Sequence, residues 1–209
     1  MRALGFKTVP VTAVGERAVQ WFNVRALRGL IGMSADAGRS ISPDELLGKY
    51  RLVFKAATRA ILQIPEDQLD WVTPAPGYEP TLRQFTWHIF DRAEVFAGLA
   101  HGGEFTEDMA YDHMTRANAC RTTNEIAAYG EQVLAQVEEV LTHRRELLEK
   151  SVNTYFGTST IFDLLIRALS MAVFRLKGTY RYLEMLGVAP LAPLGYDDFV
   201  GIPIPSGTP

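Results

Sequence analysis

The sequence predicts a mainly α protein, a four-helix bundle with a small N-terminal β-hairpin and helix attached. Three observations predict it. Three Ser/Thr-led capping boxes each open a long stripe of apolar residues at helical spacing, and a fourth such stripe closes on a glycine. The first 33 residues show instead two short apolar runs around a Gly-Glu turn. Four amphipathic helices must bury their stripes against one another, and a bundle does so with the fewest elements.

In chain order, Val9 to Val14 is β-branched and interrupted by Pro10, Gly15-Glu16 marks a turn, and Ala18 to Phe22 is a second apolar run. Asn23 is placed to cap a short helix carrying Ala26, Leu27, Leu30 and Ile31, which Gly32 ends. The reading over residues 1–33 is strand, turn, strand, helix, and the small polar residues 34–41 read as a linker. Ser42-Pro43-Asp44-Glu45 then opens the first long helix, with Leu46, Leu47, Tyr50, Val53, Phe54, Ala57 and Ile61 on one face and an end near Ile64-Pro65. Thr81-Leu82-Arg83-Gln84 opens the second, whose Leu82, Phe85, Ile89, Ala93 and Phe96 run toward Gly102-Gly103. Thr122-Thr123-Asn124-Glu125 opens the third, expected to reach about Lys150. The fourth begins after Gly157-Thr158-Ser159 and closes at Gly187, a natural left-handed position. The connection from His101 to Cys120 is long enough to be functional or to hold an extra short helix, and its acidic run from Glu104 to Asp112 fits no calcium loop. Residues 189–209 are proline-rich yet apolar, so this tail is expected to lie across the bundle.

Composition narrows the function. With 47% hydrophobic residues in 209, the chain can bury a core and is not a disordered polymer. A net charge of −3 argues against broad electrostatic binding of nucleic acid or anionic membrane. No uncharged apolar run approaches the ~18 residues that span a bilayer. Cys120 is the single cysteine and excludes an internal disulfide; the opening residues lack the apolar run of a signal peptide, so the cytoplasm is the expected compartment. Two readings of Cys120 stand side by side: a thiol made nucleophilic by a helix N-terminus and Arg121, or a small apolar residue.

The order of the helices, the element Pro80-Thr81-Leu82-Arg83-Gln84-Phe85-Thr86-Trp87-His88-Ile89 and the ending Tyr182-Leu183-Glu184-Met185-Leu186-Gly187-Val188 resemble the DinB/YfiT-like superfamily over residues 42–188. The resemblance implies an up-down-down-up bundle, often dimeric. It also implies a divalent metal held by one histidine of the second helix and a His-x-x-x-His pair of the fourth, in a family that includes thiol-dependent S-transferases and a mycothiol-dependent isomerase. His88 stands where that family has its first histidine, roughly 60° from the centre of the apolar stripe and still facing inward. The paired positions fall on Ala172 and Leu176 when Gly178 is the anchor, and on Met171 and Arg175 when Tyr182-Leu183 is. Neither frame supplies the pair. The metal site is therefore expected to be degenerate, with His88 an orphan ligand and no cofactor, and a bound zinc or nickel is the alternative. His88 is expected to sit partly buried against Asp91, Arg175 or Tyr182, and these four residues are the expected small-ligand pocket.

The N-terminal segment resembles the C-terminal half of a glutaredoxin: Gly5-Phe6-Lys7-Thr8-Val9-Pro10-Val11, then Val14-Gly15-Glu16-Arg17-Ala18-Val19 and Phe22-Asn23-Val24-Arg25-Ala26-Leu27. That resemblance makes Thr8, Val9 and Pro10 the relic of a thiol-tripeptide site. The segment has no cysteine and cannot do redox chemistry itself. It is also too small to fold alone and must dock on the bundle or on a second copy; burial in a homodimer is the expectation. Two functions remain: a small-ligand-binding or structural homodimer of DinB-like fold, or a thiol-dependent (glutathione-, bacillithiol- or mycothiol-like) S-transferase or isomerase using His88 as a base or metal ligand.

Overall fold

The computed structural model describes residues 11–20, 24–33, 41–74 and 80–203. Thr8, Val9, Pro10, linker residues 34–40 and tail residues 204–209 lie outside them.

The N-terminal piece is a hairpin and a helix. Strands β1 (Val11–Val14) and β2 (Arg17–Gln20) pair antiparallel, with Val14 opposite Arg17 across a turn in which Gly15 adopts φ +62°. Helix α1 (Val24–Leu30) follows, and Arg17 Nη2 donates to Leu30 O at 2.8 Å, tying strand to helix.

The bundle consists of α2 (Pro43–Ile61), α3 (Leu82–Gly98), α6 (Thr123–His143) and α7 (Ile161–Met185), with the short α4 (Glu107–Tyr111) and α5 (His113–Ala117) between α3 and α6. All three capping boxes form, Ser42 with Glu45, Thr81 with Gln84 and Thr122 with Glu125. The start of α7 is capped by Thr160, whose hydroxyl accepts from Asp163 N at 3.1 Å. At its end Gly187 takes φ +77°, with Gly187 N donating to Glu184 O and Val188 N to Leu183 O, the paired bonds of a Schellman turn.

Helices α3 and α2 each pack against both α6 and α7, while α2 and α3 touch only marginally, so they occupy opposite corners. Side-chain contacts give the directions. Tyr50, early in α2, donates to Leu165 O, early in α7, at 2.7 Å, and Arg59 and Gln63 near the end of α2 reach residues just past the end of α7. The start of α3 meets the start of α6 through Arg83 and Cys120 O, and the end of α7 through Phe85 and Tyr182. Hence α2 and α7 run one way, α3 and α6 the other. The core holds Tyr50, Phe54, Ile61, Ile89, Phe90, Ile126, Leu141 and Ile161, all essentially inaccessible, each large aliphatic or aromatic side chain contributing about 1.5–3 kcal/mol by burial. Phe90 meets Phe54 edge-on at 4.9 Å and lies so close to Gly130 that a Cβ there would come within 2.6 Å of the ring.

Three connections refine the sequence reading. The third long helix stops at His143 rather than near Lys150, because Arg144 leaves helical geometry (ψ 39°). A second hairpin follows, β3 (Ser151–Thr154) with β4 (Gly157–Thr160), turning at Gly157 with φ +114°. Its Val152, Thr154, Thr158 and Thr160 are β-branched and suit a strand better than a helix. Phe105 bridges to this hairpin, donating from its N to Asn153 O and accepting from Tyr155 N. The connection after His101 starts at Gly102 and Gly103, with φ +139° and +97°, and contains α4 and α5. The tail lies on the bundle: Lys49 Nζ donates to Asp198 O at 2.7 Å, Leu194 N donates to the Tyr180 hydroxyl at 3.2 Å, and Phe199 and Ile202 are buried. Among the described residues no helix is long and apolar enough to cross a membrane.

Candidate functional site

Helix α3 is surrounded, and it buries polar as well as apolar side chains: Arg83, Thr86, His88, Asp91 and Arg92 are all inaccessible to solvent or nearly so. Uncompensated burial of such groups is costly, so their partners define the site. His88 Nδ1 lies 2.6 Å from Asp91 Oδ1, with the two side chains 3% and 1% exposed. They are three residues apart, which puts both on one side of the helix. The other Asp91 oxygen is 3.6 Å from Arg92 Nη1.

Burial dominates the imidazole. It pulls the His88 pKa down to about 3, aided by the positive charges of Arg175 and Arg92 and opposed by Asp91. His88 is thus neutral near pH 7, with its Nδ1 in close contact with the Asp91 carboxylate. Such an imidazole is a weak proton acceptor.

Around this pair lies a second polar group. Glu94 pairs with Arg116 of α5 and accepts from the Tyr129 hydroxyl of α6 at 2.9 Å. Tyr129 stacks on Trp87 at 4.9 Å with planes 6° apart, and the Arg116 guanidinium sits 5.2 Å over the same indole. On the α7 side, half-buried Arg175 lies 4.7 Å over Phe85, which meets Tyr182 edge-on at 4.9 Å. Tyr182 also meets Trp71. Of the four residues expected in the pocket, His88 and Asp91 are in direct contact, Arg175 acts on His88 through its charge, and Tyr182 joins Arg175 through Phe85. Arg92, Glu94, Arg116 and Tyr129 were not among them. The spacing of Gln84, His88 and Arg92, every fourth residue, was the signal that marks one row.

A three-histidine metal site does not fit these residues. Ala172 and Leu176 are 1% and 0% exposed core residues without donor atoms. Among the described residues no three His, Cys, Asp or Glu side chains come together as metal ligands. Cys120 is not activated either. Burial, and then Glu125, push its thiol up, and Arg83 donates to its backbone oxygen at 2.6 Å. A separate shallow apolar hollow of about 350 Å³ lies between α3 and α6, lined by Ala97, Gly98, His101, Ala135 and Val140 with Gln136 and Glu139 at its edge.

The chain matches no protein-family model and no curated protein. What fold and site define together is a class: a mainly helical protein of four long packed helices and two small hairpins, with a buried histidine–carboxylate pair on α3.

Proposed function

We propose that this protein is a DinB-like bundle whose metal site has degenerated, and that it works as a small-ligand-binding or structural homodimer without family-type metal catalysis. The observation that carries the reading is that Ala172 and Leu176, at the positions of the family's histidine pair, are buried core residues without donor atoms. Support for the superfamily comes from the helix directions, since α2 and α7 run opposite to α3 and α6, an up-down-down-up order. The division into residues 1–33, 34–41, 42–188 and 189–209 follows the same reading. Homodimerisation is supported by the N-terminal hairpin, because a two-stranded hairpin with one short helix is marginal on its own and leaves Val14, Ile31 and Met33 exposed. Thiol-dependent S-transfer or isomerisation is the weaker reading. An imidazole held neutral down to about pH 3 is a poor base for a thiol whose own pKa is ~8.5.

Metal analysis and native mass spectrometry of protein purified without a histidine tag test this function. The expected result is a dimer mass with no stoichiometric zinc or nickel. About one metal per chain, lost in His88→Ala, would overturn it, and a folded monomer would remove the dimer from it.

A further inference from the structure

Charge divides this chain unevenly. Of its 21 Lys and Arg and 24 Asp and Glu, residues 1–33 hold Arg2, Lys7, Arg17, Arg25 and Arg28 against Glu16 alone, so the N-terminal piece is basic and the remainder acidic. The acid excess is sharpest on α6, where residues 122–143 contain Glu125, Glu131, Glu138 and Glu139 and no lysine or arginine. Two of these are used locally, Glu125 in the capping box and Glu138 in its pair with Arg51 of α2. Glu131 and Glu139 are exposed and share a row with exposed Ala135, every fourth residue. That row borders the apolar hollow between α3 and α6, where Ala135, Glu139 and Val140 face Ala97 and Gly98. The N-terminal piece, for its part, exposes Val14, Ile31 and Met33, and its buried Leu30 lies outside the bundle core.

We propose that the basic hairpin and α1 of one copy dock on the acid-rimmed hollow between α3 and α6 of a second copy, the arginines of α1 meeting the partner subunit's Glu131 and Glu139. The inference rests on the homodimer reading and names the surface that would make the dimer. Among the described residues both halves of that surface stay open within one chain, since the hollow is lined by α3, α6 and His101 alone and Val14, Ile31 and Met33 reach solvent. Opposite charge excesses steer the encounter and fix its register, while burial of the apolar residues supplies the affinity. Each chain brings one basic piece and one acidic hollow, so a twofold pair covers both surfaces of both chains at once. Docking also gives a two-stranded hairpin, marginal by itself, a helical surface to pack on.

Sedimentation equilibrium on the full-length protein and two charge-reversed variants tests this surface. Arg25→Glu with Arg28→Glu, and separately Glu131→Lys with Glu139→Lys, should each weaken the dimer at least ~10-fold, and raising the salt from ~50 to ~500 mM should weaken the wild type in the same direction. In an equimolar mixture of the two variants, reversed α1 meets reversed hollow at one interface and unaltered surfaces meet at the other, so the mixed dimer should form within ~3-fold of the wild-type affinity. Glu131 and Glu139 are exposed, so their variant keeps the bundle intact. Ala135→Arg, also exposed, should weaken the dimer and serves if the α1 variant folds poorly. A wild-type dimer whose affinity none of these substitutions changes would overturn the surface and leave the homodimer standing. A chain still monomeric at ~100 μM would overturn the homodimer itself, and this surface with it. If the Glu131→Lys, Glu139→Lys variant speeds amide exchange over residues 11–30 at concentrations where wild type is already monomeric, the piece docks on its own bundle and the second copy is overturned as its partner.

Discussion

Helix α3 is held from its two sides by different physics. Its inner side, with Leu82, Phe85, Ile89, Phe90 and Phe96, is buried by apolar contact with the other long helices. Its outer side presents Gln84, His88, Asp91, Arg92 and Glu94, and is covered by a segment attached through carbonyls and one ion pair. Apolar burial is non-directional and sums over area, so the inner side carries the stability of the bundle. Polar anchoring depends on direction and exchanges with water, so the outer side contributes geometry more than stability.

Substitutions on the two sides should therefore separate in size. Phe90→Ala, on the inner side, is expected to cost about 3–5 kcal/mol in urea unfolding, since the ring packs on Phe54 and fills the space that Gly130 leaves. Gly130→Ala tests that packing from the opposite direction; the added Cβ meets the Phe90 ring and should cost about 1–3 kcal/mol. If either falls below the noise of the measurement, the inner side is not the source of stability. Asp91→Ala is the largest expected effect on the outer side, about 1.5–3 kcal/mol, because it strips a charged partner from buried His88 and Arg92.

Acid should act through the same pair. The His88 pKa lies at about 3 in the folded protein against an ordinary ~6.5 in the unfolded chain, so between these values the unfolded state binds the extra proton. Stability is then full above ~6.5 and falls as the pH drops toward 3, by at most ~1.4 kcal/mol per pH unit for this one group. His88→Gln should flatten that part of the curve, measured as thermal midpoints against pH. The smallest effect belongs to the ion pair of Glu94 with Arg116: Arg116→Ala should change global stability by less than ~1 kcal/mol, since the pair is partly solvated.

Local chemistry was legible in the sequence, and backbone chemistry was not. Ser42, Thr81 and Thr122 announce helix starts because a capping box is complete within four residues, and Gly187 announces an end for the same reason. The β3–β4 hairpin was hidden by Leu147 and Leu148, which continue the helical stripe of α6 past the point where Arg144 breaks it. His88 with Asp91 could be read as neighbours on one helix. The attachment of α4 and α5 to α3 could not, because Met109, Ala110 and Met114 contribute carbonyl oxygens that any residue would offer. The Thr8-Val9-Pro10 motif lies outside the described residues.

The central claim is that His88 sits as a neutral imidazole against Asp91 and holds no stoichiometric metal. Nitrogen-detected NMR of the histidine rings, followed while one equivalent of zinc is added, tests it most directly. The expected result is a neutral His88 ring, unchanged by the metal and untitrated above pH 5. A His88 signal that titrates near pH 6.5, or that shifts stoichiometrically with zinc, would contradict it.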